Sequence, residues 1–170
     1  ELNKLNDIFE ESDFMVFKDA LETGGDILTP ENREKYKQLK IMDITQWLKE
    51  VVLPRIKVIR PKNRILLHPT CSCQIMGLTP VLLDIARKCA REVILPDNWG
   101  CCGASGDRGF IFPELSDSAT RDERDEIGHE SFDGCYSLAR TCEIAMQDHI
   151  EQPYESIVYL VDETIQDQGT

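Results

Sequence analysis

Arg64-Ile65-Leu66-Leu67-His68-Pro69-Thr70-Cys71-Ser72-Cys73 is the stretch whose reading decides the fold. A short apolar run, Arg64 to His68, reads as a strand, and Pro69 to Cys73 as the loop that follows it. Downstream, Thr79-Pro80 reads as a helix opening, with threonine as cap and proline at the first helical position. The apolar face of that helix is Leu82, Ile85, Ala86 and Cys89. Glu92-Val93-Ile94-Leu95 is the next strand, stopped by Pro96. Pro113 to about His129 reads as a polar helix with Glu123, Arg124 and Glu126 outside. Phe132 to Leu138 reads as a third strand, followed by a helix from Thr141 to His149. Residues 156–165 suit either state: their β-branched content favours a strand, yet Ile157, Leu160, Val161 and Ile165 share one helical face. Strands alternating with helices predict an α/β fold, a parallel sheet with helices on both faces.

Working outward toward the start, residues 1–56 read as a helical segment, the end of a preceding repeat. Leu5, Ile8 and Phe9 recur at helical spacing, Gly24-Gly25 breaks the pattern, and Glu31 to Lys40 is a charged helix. Asp43 is placed to cap a helix carrying Ile44, Trp47, Leu48, Val51 and Val52, which Pro54 ends. Packing is the expected role of all of this. The chemistry is expected in a domain over residues 57–170.

Seven cysteines, all beyond residue 70, set that chemistry. An odd number, absent from the first third of the chain, does not suit a disulfide framework of a small secreted domain. Metal or redox chemistry in a reducing, cytoplasmic compartment suits it better. The net charge of −12 argues against a nucleic-acid partner, because phosphate binding needs a basic face. No apolar run approaches the roughly 18 residues of a membrane span. The start at Glu1, without a signal-peptide pattern, reads as a piece of a longer protein.

The loop Trp99-Gly100-Cys101-Cys102-Gly103-Ala104-Ser105-Gly106-Asp107-Arg108-Gly109 has a glycine at every third position from Gly100. Its spacing is neither the dinucleotide fingerprint nor a P-loop. Two adjacent cysteines in such a loop turn two sulfurs toward one external object, and soft thiolates select zinc or iron–sulfur clusters. In a parallel sheet, sites gather outside the carboxyl ends of the strands. Cys71 and Cys73 follow the first strand, Cys101 and Cys102 the second, and Cys142 the third. The expected ligands are Cys71, Cys101, Cys102 and Cys142, with Gly103 and Gly106 giving the backbone its close approach. Thr141 is placed to cap the helix on which Cys142 sits, favouring the thiolate. Cys73 is either a supplementary ligand or a bystander, Cys135 packs by default, and Cys89 is core. His68 is either a ligand or neighbour of the site or a satisfied buried histidine. No residue is assigned a catalytic role.

The order Cys71, Cys101-Cys102-Gly103, Cys142 resembles the cysteine-rich CCG domain. That domain occurs in heterodisulfide reductase B subunits, glycolate oxidase iron–sulfur subunits and the C-terminal part of large FAD-linked oxidases. Three blocks narrow the likeness: His68-Pro69-Thr70-Cys71 with Met76-Gly77; Gly100 to Gly109 with Pro113-Glu114-Leu115 and Ser118-Ala119-Thr120; and Ala139 to Ile144. With Pro153-Tyr154 and Tyr159 to Glu163, they look most like the C-terminal end of fused FAD/iron–sulfur D-lactate dehydrogenases. The likeness covers about residues 41–165. It departs from the family in closing on Cys142 alone rather than on Cys-x-x-Cys. The resemblance implies an iron–sulfur cluster, with zinc as alternative, and FAD in an upstream domain. It implies as partners the upstream FAD and ferredoxin-like domains and a quinone or cytochrome acceptor, peripheral to the inner membrane. The segment itself holds no flavin fold and no ferredoxin cysteine run, so it would not be active alone. Two other readings of the same thiols are a structural zinc or docking domain and a thiol–disulfide site with Cys142 as nucleophile.

Overall fold

The computed structural model describes residues 29–38 and 42–165. The helical periodicity of Leu5, Ile8 and Phe9 and the Gly24-Gly25 break lie outside the described residues. The chain divides into two compact units, Glu1–Ile44 and Thr45–Thr170. In the first, α1 (Pro30–Lys37) is an eight-residue charged helix with a Glu31–Lys35 ion pair one turn apart. A second short helix, α2 (Ile44–Trp47), runs on into a π-helical turn at Leu48–Val52 and a 3-10 turn at Leu53–Arg55, where Pro54 sits. Leu48 and Leu53 are buried and Trp47 is exposed, so the expected apolar stripe is only partly used.

The larger unit is an α/β fold. Four strands, β1 (Lys62–Leu67), β2 (Ala90–Ile94), β3 (Gly134–Ser137) and β4 (Tyr154–Ser156), form one sheet in the order β2-β1-β3-β4. Every pairing is parallel. Ile65, Leu66 and Leu67 of β1 are all fully buried. Successive side chains of a strand point to opposite faces, so a run of three buried residues means that both faces are covered. Between the strands lie α3 (Cys71–Ile75), α4 (Thr79–Cys89), α5 (Arg108–Ile111), α6 (Pro113–Ile127) and α7 (Arg140–Ile150), and α8 (Ile157–Thr164) closes the unit. Helix α4 packs with α8, and α6 packs with α7. Leu66 joins Met146, Ala145 and Ile150 of α7 in one buried cluster. By alternation, Ile65 and Leu67 face the opposite layer.

Several boundaries differ from the sequence reading for local reasons. Helix α4 begins at Thr79 itself, with Leu78 at the cap position and no side-chain cap. The expected loop after β1 contains a helical turn, α3, because the Thr70 hydroxyl accepts a hydrogen bond from the Cys73 N–H at 3.2 Å. The ambiguous tail resolves into both states. Tyr154–Ser156 pairs with β3, then the Ser156 hydroxyl accepts from the Val158 N–H and starts α8. Ile157, Leu160 and Val161 are the buried face of that helix.

The strand order places chain reversals on either side of β1: the chain leaves β1 for β2 on one side and returns to β3 on the other. In open parallel sheets the crevice at such a switch, outside the carboxyl ends, is where ligands bind.

Candidate functional site

Three loops leave the carboxyl ends of β1, β2 and β3, and each brings cysteine to that edge of the sheet. Cys71 is the first residue of α3, three residues after His68. Cys101 and Cys102 lie in the glycine loop after β2. Cys142 is in the first turn of α7, after β3. The Cys102 and Cys142 sulfurs are 2.8 Å apart. Cys101 influences the ionisation of its neighbour Cys102 and of Cys71. The four thiols stand along this edge in a string, Cys71, Cys101, Cys102 and Cys142. Cys102 and Cys142 are buried, whereas Cys71 and Cys101 face solvent.

Backbone geometry holds the middle of the string. Gly103 has φ +74°, a left-handed conformation that side chains disfavour. A Cβ there would stand 2.6 Å from the Leu115 carbonyl oxygen and 2.7 Å from the Ser116 Cα. Only glycine lets the loop lie against the start of α6, and that contact anchors the chain directly after Cys101 and Cys102. The Gly103 N–H donates to the Cys101 sulfur at 3.4 Å. Gly106 shares the positive φ, at +73°, but has open space where its Cβ would be. It is needed for the turn and makes no close approach. Helix α7 is not capped by Thr141, as expected from the sequence: Ala139 holds the cap position, without a side-chain hydrogen bond, and Thr141 lies inside the helix.

Cys71, Cys101 and Cys102 disfavour the thiolate form. Burial, reinforced by Cys101, raises Cys71 above the ordinary thiol range. The Cys102 hydrogen bond, with burial, raises Cys101 far above that range. At Cys102 the largest influence, the Cys101 hydrogen bond, is downward, but the Cys142 contact and burial outweigh it and push the thiol to about 12. Sulfurs held this way release their protons to a cation that replaces them, which is the ordinary coupling of metal binding to thiol ionisation.

The donor set suits a thiophilic centre. Among the described residues, no three His, Cys, Asp or Glu side chains are gathered around a common point as a metal centre requires. Thiolates at ~2.3 Å from a tetrahedral metal stand ~3.8 Å from one another. The 2.8 Å between Cys102 and Cys142 is shorter, so loading requires that pair to open by about 1 Å.

The other cysteines lie apart from the string. Cys73 is fully buried, with its sulfur 4.0 Å from the Thr79 hydroxyl. Cys89 lies in the core on α4. Cys135 lies on β3 beside the Cys102–Cys142 cluster, where burial pushes its thiol up to about 12.

His68 is a buried histidine with a partner that the sequence does not advertise. Its Nδ1 lies 3.0 Å from the Glu123 carboxylate, and both residues are buried. The reading of Glu123 as an outside residue of its helix is corrected here: it is 2 % exposed. Ser116, Thr120, Glu123 and Ile127 form the buried face of α6. Their 4-3-4 spacing was the available signal, hidden because three of the four are polar. The His68 Nε2, the Tyr154 hydroxyl and the Ser116 Oγ are buried without a partner. Tyr154 meets the His68 ring edge-on at 6.4 Å between centroids.

Beside the glycine loop, a cavity of about 350 Å³ opens between the start of α6 and α7, lined by Phe110, Pro113, Ser116, Ala145, Asp148 and His149 among others. Among the described residues, no helix is long and apolar enough to cross a membrane. A scan of the chain against models of protein families found no match, and a search of curated proteins found none either.

Proposed function

We propose that this chain is an electron-transfer domain whose four thiols, Cys71, Cys101, Cys102 and Cys142, hold an iron–sulfur centre. By its resemblance to the CCG domain, it would serve a larger FAD-dependent oxidoreductase acting on a 2-hydroxy acid such as D-lactate. The observation that carries the metal-centre reading is the convergence of four sulfurs from three sequence-distant loops at the carboxyl edge of one sheet. A bound cluster supplies a one-electron carrier.

The protein's own residues would do the rest. Cys102 and Cys142, set against Ala104, Ala145 and Met146, exclude water from the inner side. The Gly103 N–H, already on the Cys101 sulfur, stabilises negative charge there and raises the potential of whatever that sulfur holds. Cys71 and Cys101 leave the outer edge open to solvent, where a donor or acceptor can approach.

Anaerobic reconstitution with iron and sulfide tests the reading, followed by visible and electron paramagnetic resonance spectra. A broad visible band and a paramagnetic signal on reduction are expected, both lost in Cys101→Ser/Cys102→Ser. A colourless protein retaining one zinc per chain, or a full signal in the double variant, overturns it.

A further inference from the structure

We infer that Cys102 and Cys142 form a redox-active dithiol, which closes into a cross-loop disulfide when the protein is oxidised. It concerns two of the same four thiols and uses the metal-centre reading only for its consequence.

The contact that carries it is the 2.8 Å between the Cys102 and Cys142 sulfurs, inside ordinary sulfur contact and longer than the ~2.05 Å of a disulfide. The adjacent Cys101 is disfavoured as a partner, because adjacent residues have Cα atoms only ~3.8 Å apart, closer than the ~4.4–6.8 Å that a disulfide normally spans. Cys102 therefore pairs across to Cys142. Cys73, Cys89 and Cys135 take no part: Cys73 and Cys89 are directed into other parts of the core, and the Cys135 sulfur lies 3.9 Å from the Gln152 side-chain oxygen.

The chemistry balances with a peroxide as oxidant. Two S–H bonds break and one S–S bond forms. Two electrons pass from the sulfurs to one hydrogen peroxide, whose O–O bond breaks, and the two thiol protons leave in two waters. The consequence is that oxidation and metal loading compete for the same sulfurs. The disulfide keeps Cys102 and Cys142 from climbing to irreversible sulfinic acid.

The full chain is reduced, stripped of metal and treated with hydrogen peroxide, then blocked with N-ethylmaleimide in denaturant and digested without reductant. The intact mass, read before blocking, is expected to fall by about 2 Da, the two hydrogens of one disulfide. The linked peptide should be Cys102–Cys142, with Cys73, Cys89 and Cys135 each carrying N-ethylmaleimide. Dithiothreitol should restore the original mass. Cys102 recovered as a thiol, as sulfinic acid, or joined to Cys101 or Cys135 overturns the inference. Cys142→Ser should leave Cys102 unbridged. Should that variant fail to fold, Cys71→Ser provides a second test, in which the Cys102–Cys142 bridge should still form. Iron and zinc uptake by the reduced protein is measured separately. The disulfide without metal uptake overturns the metal-centre reading alone, and metal uptake without the disulfide overturns this inference alone.

Discussion

Replacing Gly103 by alanine places a methyl group 2.6 Å from the Leu115 carbonyl oxygen, 2.7 Å from the Ser116 Cα and 2.9 Å from the Ala119 Cβ. Two of those three atoms are backbone, so no flexible side chain can swing aside. The φ of +74° adds a second cost. A left-handed residue with a Cβ loses ~1–2 kcal/mol, and an added methyl group in a packed contact costs ~1–3 kcal/mol. Together these give roughly 2–5 kcal/mol for Gly103→Ala. Gly106 is the internal control, with φ +73° and nothing within 4 Å of the position a Cβ would take. Its substitution carries the conformational cost alone, roughly 1–2 kcal/mol. The assay is equilibrium urea unfolding followed by circular dichroism. With a slope of about 2 kcal/mol/M, the midpoint should fall by about 1–2.5 M for Gly103→Ala and by about 0.5–1 M for Gly106→Ala. The displaced loop should also expose Cys102, so its alkylation by N-ethylmaleimide should accelerate in Gly103→Ala and not in Gly106→Ala. Equal midpoint shifts in the two variants would refute the close approach of the loop to α6, and with it the account of how the vicinal cysteines are aimed.

Further expectations follow from the same structure. Glu123→Leu strands the buried His68 ring and should cost about 3 kcal/mol; adding His68→Phe should recover part of that loss, and strictly additive losses in the double-mutant cycle would show that the pair is not coupled. Leu66→Ala should cost about 2–5 kcal/mol in the same unfolding assay, because Leu66 is fully buried at the centre of the sheet; a loss under 1 kcal/mol would contradict that placement. The Asn98 and Asp97 N–H groups hold the Glu126 carboxyl below its ordinary value, and the Asn63 N–H does the same for Asp133. A carboxyl lowered in the folded state contributes stability at neutral pH that is lost as pH falls through its folded value, so stability should decline below pH about 4. Glu126→Gln should flatten that acid limb, and an unchanged slope would remove the assignment. In the native, reduced protein, Cys71 and Cys101 should alkylate before Cys73, Cys89 and Cys135, as read by peptide mapping; early labelling of Cys135 would contradict its burial.

Local chemistry made much of this fold legible. The Ile65-Leu66-Leu67 run, the Pro69 and Pro96 stops and the stripe Leu82, Ile85, Ala86, Cys89 each show their state within a few residues, because strand and helix periods are short. The alternation of those elements then implies a parallel sheet, and a parallel sheet implies a carboxyl edge at which loops meet. Tail residues 154–164 were harder, since β-branched content and helical periodicity point in opposite directions. The structure divides them, pairing Tyr154–Ser156 with β3 and letting the Ser156 hydroxyl begin the helix.

Composition and order along the chain determined that sulfur from three loops would stand at one end of a parallel sheet, and that the loop between them needed glycine. Which sulfurs touch, and which face water, was decided only by tertiary structure. An arrangement with Cys102 against Cys142 inside and Cys71 and Cys101 exposed depends on how α6 and α7 pack over the sheet. The same packing turned Glu123, in sequence one more acid on a polar helix, into the buried partner of His68. The physical reason is range: backbone preference and periodicity act over one or two turns, whereas burial and sulfur contacts join residues 40 to 55 positions apart, and only the closed fold sets those distances.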